Sequence, residues 1–341
     1  MVTETSSLDS SRKIGARALA IATASAAAAV LSMAPAVAQT TVETPSSMVA
    51  ALHSAFGEHH ARAVHAKGTI LEGSFTPAAH AKDLSQAAVF SSGSIPITVR
   101  FSDFTGIPNI PDNIGDANPR GLAIKFRVPT GGELDLVTHS FNGFPTRTSD
   151  EFAQLLRAIG ASGPDAAKPT ELDRFLAAHP IAKTFLTTQK PPPVSYGTLN
   201  YFGVNAFTFI DAVNTHRAVR YRFVPAAGEH VLDAAALKAK GPNYLQEEIA
   251  ARVAAAPIKF DWFAQVGEPG DLSDDPSIAW PESRKLVKLG TLTIVKVAAE
   301  PIKTDKALLF LPGRLPAGIE IADPMIAMRT AAYPISFGER Q

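Results

Sequence analysis

The chain has 341 residues, and its 32 basic and 32 acidic side chains cancel, so no cationic surplus points to nucleic acid. It has no cysteine, which excludes disulfides, zinc–thiolate sites, iron–sulfur clusters and thiolate-ligated haem. With 46% hydrophobic residues it is globular in composition and long enough to bury one large core.

The first segment reads as an export signal. Arg12, Lys13 and Arg17 make a positive start, an uncharged Ala-rich stretch follows through Val30 and Leu31, and Ala36-Val37-Ala38 gives a small-x-small cleavage pattern. Ala, Ser and Thr dominate the stretch and Pro35 closes it, which argues against a retained anchor. The expected organisation is a signal peptide over 1–38 and one domain over 39–341, in a bacterial periplasm, with no membrane span after processing. Arg12-Lys13 is not a twin arginine, and the choice between Sec and Tat export stays open.

Residues 41–60 form a polar-to-helical lead-in. Three strands follow at 97–101, 122–128 and 134–137, the last two joined by Gly131-Gly132, a dipeptide suited to a tight hairpin. Thr148-Ser149-Asp150-Glu151 reads as a capping box, and Phe152, Leu155, Leu156 and Ile159 behind it form one apolar helix face. A short helix over 171–178 ends at Pro180, and Lys190-Pro191-Pro192-Pro193 is an extended connector. Strands are expected at 204–210, 218–224, 257–266 and 285–297, with helices at 232–240 and 244–255. After a loop over 311–321, Asp323-Pro324 supplies an N-cap and first-turn proline for a last helix that Pro334 should kink or end. Six or more strands without strict βαβ alternation predict an α+β fold: a closed antiparallel β-barrel with helical insertions.

Two motifs near the ends concentrate the chemistry. Arg62-Ala63-Val64-His65-Ala66-Lys67-Gly68 sets a histidine three residues after an arginine and close to a glycine turn. Arg329-Thr330-Ala331-Ala332-Tyr333-Pro334 sets an arginine and a tyrosine four apart, on one face of a helix. Tyrosine ionises near pH ~10, an adjacent fixed cation lowers that value, and a buried tyrosinate is a hard ligand for ferric iron. Between them stand Val99-Arg100-Phe101-Ser102, Asn118-Pro119-Arg120-Gly121-Leu122-Ala123-Ile124-Lys125-Phe126 and Leu134-Asp135-Leu136-Val137. There is no P-loop, dinucleotide-binding glycine triplet or His-Glu-x-x-His. The intervals between Glu58-His59-His60 and His65 do not match a helical metal-ligand pair.

These five motifs, in this order, resemble the catalase family, and more closely its small single-domain branch, the catalase-related peroxidases. The resemblance covers most of the chain after about residue 50. It implies an eight-stranded barrel with haem b held between the barrel wall and a C-terminal haem-proximal helix. It implies His65 as the distal acid–base, Ser102 orienting the other ring nitrogen, Tyr333 as the proximal iron ligand and Arg329 holding it as phenolate. Arg62, Arg100 and Arg340 would pair with the two haem propionates, since a guanidinium matches a carboxylate in a fork. Phe152 would stack on a pyrrole.

The activity implied is reduction of hydrogen peroxide or organic hydroperoxides by a small organic electron donor, with room for weak catalase activity and for a homodimer. Two departures bear on this. The family's distal asparagine follows Asp-Leu-Val directly; here His139 holds that place without gaps, while Asn142 could also supply an amide, and the sequence leaves both open. The family's channel aspartate is Asn118 here, which favours slow peroxidase turnover over rapid dismutation. The alternatives are a fatty-acid hydroperoxide isomerase or dehydratase and a non-enzymatic periplasmic haem-binding barrel.

Overall fold

Eight antiparallel strands close on themselves in the computed structural model, which describes residues 42–128, 133–188 and 190–341. The expected signal peptide and the Gly131-Gly132 turn lie outside those residues. The strands are β1 (Gly68–Pro77), β2 (Ile95–Ser102), β3 (Gly121–Arg127), β4 (Glu133–His139), β5 (Tyr201–Ile210), β6 (His216–Pro225), β7 (Ile258–Val266) and β8 (Leu286–Val297). They pair in the order β4-β3-β2-β1-β8-β7-β6-β5, and the ring closes where His139 of β4 meets Phe202 of β5. A ninth strand, β9 (Ile319–Ile321), adds to β5 outside the ring. The closed antiparallel barrel is the architecture the alternation predicted, and its eight strands are the number the family resemblance implied.

Because side chains alternate between faces, every second residue fills the barrel. Phe75, Phe101, Phe126, Phe223, Phe260 and Trp262 are fully buried there. Trp262 stacks on Phe223 with ring centroids 5.7 Å apart and also meets Phe75, Phe126 and Tyr221. Each such ring contributes roughly 1.5–3 kcal/mol by leaving water.

Helices cover the outside. α1 (Pro45–Phe56), α2 (Ser149–Gly160) and α8 (Met325–Glu339) share a second core of Met48, Val49, Leu52, Ala153, Leu156 and Ala332. The smaller helices are α3 (Glu171–Ala178), α4 (Pro180–Thr187), α5 (Ala234–Lys238), α6 (Tyr244–Ala255) and α7 (Pro301–Ala307). Among the described residues no helix is long and apolar enough to cross a membrane.

The structure differs from the sequence reading at several points. β1 and β9 were not expected. Pro180 ends α3 but also opens α4 at its first position, where a missing N–H costs nothing. Pro334 does not end α8, which runs on to Glu339. Tertiary bonds hold that far turn: Ser336 Oγ accepts from the Ala63 N–H at 3.0 Å, and Arg340 Nη2 donates to the Leu308 carbonyl at 2.8 Å. At the start of α8, Pro324 takes the cap position and Asp323 Oδ1 accepts from the Met325 N–H at 2.9 Å. At α2 only half of the capping box forms: Thr148 Oγ1 accepts from the Glu151 N–H, while the Glu151 carboxylate accepts from Arg147 N–H at 3.0 Å.

Candidate active site

The register of β1–β4 builds one wall of a cavity. Gly68, Ser102, Gly121 and His139 stand in a row across the four strands, and Ile70, Arg100, Ala123 and Val137 form the next row on the same face. Cross-strand partners point the same way, so both rows face out of the barrel toward α8. The cavity between wall and helix has about 1340 Å³ free of protein atoms, part of it open to solvent. His65, Ser102, Gly121, Val137 and His139 line it from the barrel side, and Met328, Arg329 and Tyr333 from α8.

His65 sits on a short loop before β1 with φ +57°, a left-handed conformation that a non-glycine residue holds only where its surroundings impose it. The imposition is visible. Its N–H donates to the Phe104 carbonyl at 2.9 Å, and its carbonyl accepts from Arg100 Nη1 at 2.8 Å. Its Nδ1 lies 3.1 Å from Ser102 Oγ, and the Phe104 ring meets it edge-on with centroids 5.5 Å apart. Gly121 leaves the room: a Cβ there would stand 2.8 Å from His65 Nδ1. Burial first, then the neighbouring His139 and Arg100, push the His65 imidazole down to about 3. It is therefore neutral at physiological pH, as a base must be.

Behind this loop lies a buried ionic cluster. Lys67 Nζ pairs with Asp112 at 2.5 Å and donates to the Ile110 and Pro242 carbonyls at 2.8 and 2.7 Å. Arg120 pairs with Asp103, which also accepts from Tyr196 Oη at 2.8 Å. Removing one partner of such a buried pair leaves an uncompensated charge, so the cluster fixes the backbone that carries His65.

On α8, the four-residue spacing brings Arg329 onto Tyr333. Arg329 Nη2 and Nε donate to Tyr333 Oη at 2.8 and 3.2 Å. Two guanidinium donors thus converge on one phenolic oxygen. Arg329 is itself held: Nη1 donates to Asn205 Oδ1 at 2.5 Å, and Asn205 Nδ2 donates to Asp323 Oδ2 at 2.8 Å. Asn205 was not singled out from the sequence, and Asp323 was read only as the cap of the last helix. The available signal was a buried polar residue in the apolar run of β5, which must have a partner.

The three arginines meet at one edge. Arg62 and Arg100 share Asp305, with Arg62 Nη2 and Arg100 Nε each 2.7 Å from Oδ1. Arg62 and Arg340 both donate to the Leu308 carbonyl at 2.8 Å. Asp305 was likewise not expected. Burial opposes its ionisation, but the charge of Arg100 and then Arg62 holds the carboxyl down to about 2. Three guanidinium groups against one carboxylate leave two positive charges uncompensated. That shortage shows: burial and then Arg100 push Arg62 down to about 9, and burial pushes Arg340 down to about 10. Arg340 Nε also lacks a partner among the described residues.

Phe152 lines the cavity with its ring 4.9 Å from Phe144. His139 lines it too, whereas Asn142 turns away to donate to Glu282 at 3.1 Å and is not part of the lining. Of the two distal alternatives, the cavity receives the histidine. Every residue expected at the site, His65, Ser102, Arg62, Arg100, Phe152, Arg329, Tyr333 and Arg340, borders this one space.

The arrangement suits haem. A phenol on one side and an imidazole on another flank an apolar slot, and buried arginines short of two negative charges stand at its edge, where two propionates would supply them. Fold and site together define a barrel oxidoreductase with one large cavity that suits a prosthetic group between its wall and α8. The catalase family model matches residues 53–340. A catalase-related peroxidase of Synechococcus elongatus is 35% identical over 304 residues, covering 87% of this chain and 88% of that protein. One from Mycolicibacterium paratuberculosis is 35% identical over 298 residues, covering 86% and 93%. Catalase A from Saccharomyces cerevisiae shares the fold with a TM-score of 0.72 at 18% identity, covering 82% of this chain and 61% of its own. The chain belongs to the catalase family, and it spans about three fifths of the length of that yeast catalase.

Proposed function

We propose that the protein is an iron haem b peroxidase that reduces hydrogen peroxide or organic hydroperoxides at the expense of a small organic donor. The observation that carries this reading is the convergence of His65, the Arg329–Tyr333 pair and the arginine edge on one cavity. Tyr333 would hold the iron, Arg62, Arg100 and Arg340 the propionates, and Phe152 a pyrrole face. When bound, haem supplies the electrons that split the O–O bond and regains them from the donor. The protein handles the proton. His65 Nε2 takes it from one peroxide oxygen and returns it to the departing one, which leaves as water. Ser102 fixes the ring, and Arg329 keeps negative charge on Tyr333. The N-terminal segment would export the chain to the periplasm.

Haem-loaded protein, hydrogen peroxide and a phenolic donor should give steady donor oxidation. Haem-loaded protein that oxidises no donor would overturn the reading. The pH profile is a sharper check. With the His65 imidazole held at about 3 by burial, His139 and Arg100, the base form persists as pH falls. The second-order rate with peroxide should stay flat from pH 8 to about 4.5, whereas an ordinary imidazole would lose it near pH ~6.5.

A further inference from the structure

We propose that His139 is a second working group of the pocket, a fixed hydrogen-bond donor to the peroxide that complements the base His65. The inference rests on the peroxidase reading and adds a residue to it.

His139 is the cross-strand partner of Gly121, and the space over Gly121 is the space the His65 ring occupies. Both imidazoles therefore stand on the same face of the same wall. Their hydrogen-bond partners fit opposite tautomers. His139 Nδ1 accepts from the Phe141 N–H at 3.3 Å, so in the neutral ring the proton is on Nε2. The ring is neutral because burial first, then the charges of Arg329 and Lys190, push it down to about 3. Its edge contact with Phe185, centroids 6.4 Å apart, limits how it can turn. His65 is the reverse case. Its Nδ1 lies 3.1 Å from Ser102 Oγ, a hydroxyl that can accept a ring proton. With the proton on Nδ1, Nε2 keeps a free lone pair.

His139 Nε2 is buried and has no partner among the described residues. A buried N–H without an acceptor costs free energy unless a ligand supplies one. The acceptor that the chemistry calls for is a peroxide oxygen. As His65 draws off a proton, negative charge develops on that oxygen, and a preplaced N–H stabilises it. A donor that never needs to accept a proton can be replaced by an amide; a base cannot.

The test compares haem-loaded His139→Gln, which keeps an N–H donor, with His139→Met, which has a similar length and none. His139→Met should lower the second-order rate with hydrogen peroxide on the order of 10- to 100-fold and weaken binding of azide, a small anion, by a similar factor. His139→Gln should stay within about threefold of the parent in both. His139→Asn against His139→Leu repeats the comparison should either longer variant fail to load haem. Equal behaviour within a pair, whether both unimpaired or both impaired, would overturn the proposal. A parent protein that loads haem yet ignores peroxide would instead overturn the peroxidase reading, and the azide affinities would still decide the role of His139.

Discussion

Tyr333→Phe protein is expected to lose its haem. The substitution keeps the ring that packs against the cluster of Ile70, Ala298, Leu308 and Phe310 and removes only the oxygen on which Arg329 converges. The barrel core does not touch this position, so the chain should fold as before. What disappears is the oxygen proposed to hold the iron, and with it the acceptor of two Arg329 hydrogen bonds. Haem affinity should fall at least about 100-fold, roughly 2.7 kcal/mol. The stabilisation that added haem gives the parent protein, read as a rise in melting temperature, should shrink in step. Titration of the haem-free proteins with haem, followed by absorbance and by melting temperature, checks both. Equal affinity in parent and variant would remove Tyr333 from the site.

His65→Ala is expected to separate binding from chemistry. The arginine edge and the Arg329–Tyr333 pair do not depend on the imidazole, so the variant should take up haem as the parent does. Its reaction with peroxide should fall by about 10²- to 10⁴-fold, the usual contribution of a positioned acid–base group. His65→Gln should not restore it, because an amide cannot take the proton. Rapid mixing of haem-loaded variant with peroxide gives the rate, and a rate within a few-fold of the parent would defeat the mechanism.

The barrel was legible because its strands alternate over long stretches, and period 2 places their apolar face without ambiguity. β1 was not, since Gly68, Gly73 and Glu72 interrupt its pattern, and β9 is too short to carry one. Pro180 and Pro334 misled for one reason: a proline states which local bond is missing, not whether distant contacts replace it. The site divides in the same way. His65, Ser102, Arg329 and Tyr333 lie in local motifs, so their identity and spacing could be read. Asp305 lies 243 and 205 residues from the arginines it joins, and Asn205 lies 124 from Arg329. Nothing local marks them, and only closure of the barrel and docking of α7 and α8 bring them together. The choice between His139 and Asn142 needed register. His139 ends β4 opposite Gly121 and faces the cavity, and three residues later the chain has left the strand.

The central claim is that the cavity between the barrel wall and α8 holds a flat macrocycle with Tyr333 on one face and His65 on the other. A crystal structure of the haem-loaded protein tests it most directly. The account predicts the Tyr333 oxygen bonded to iron, His65 on the opposite face and the propionates among Arg62, Arg100 and Arg340. Haem bound elsewhere, or iron held by another residue, would contradict it.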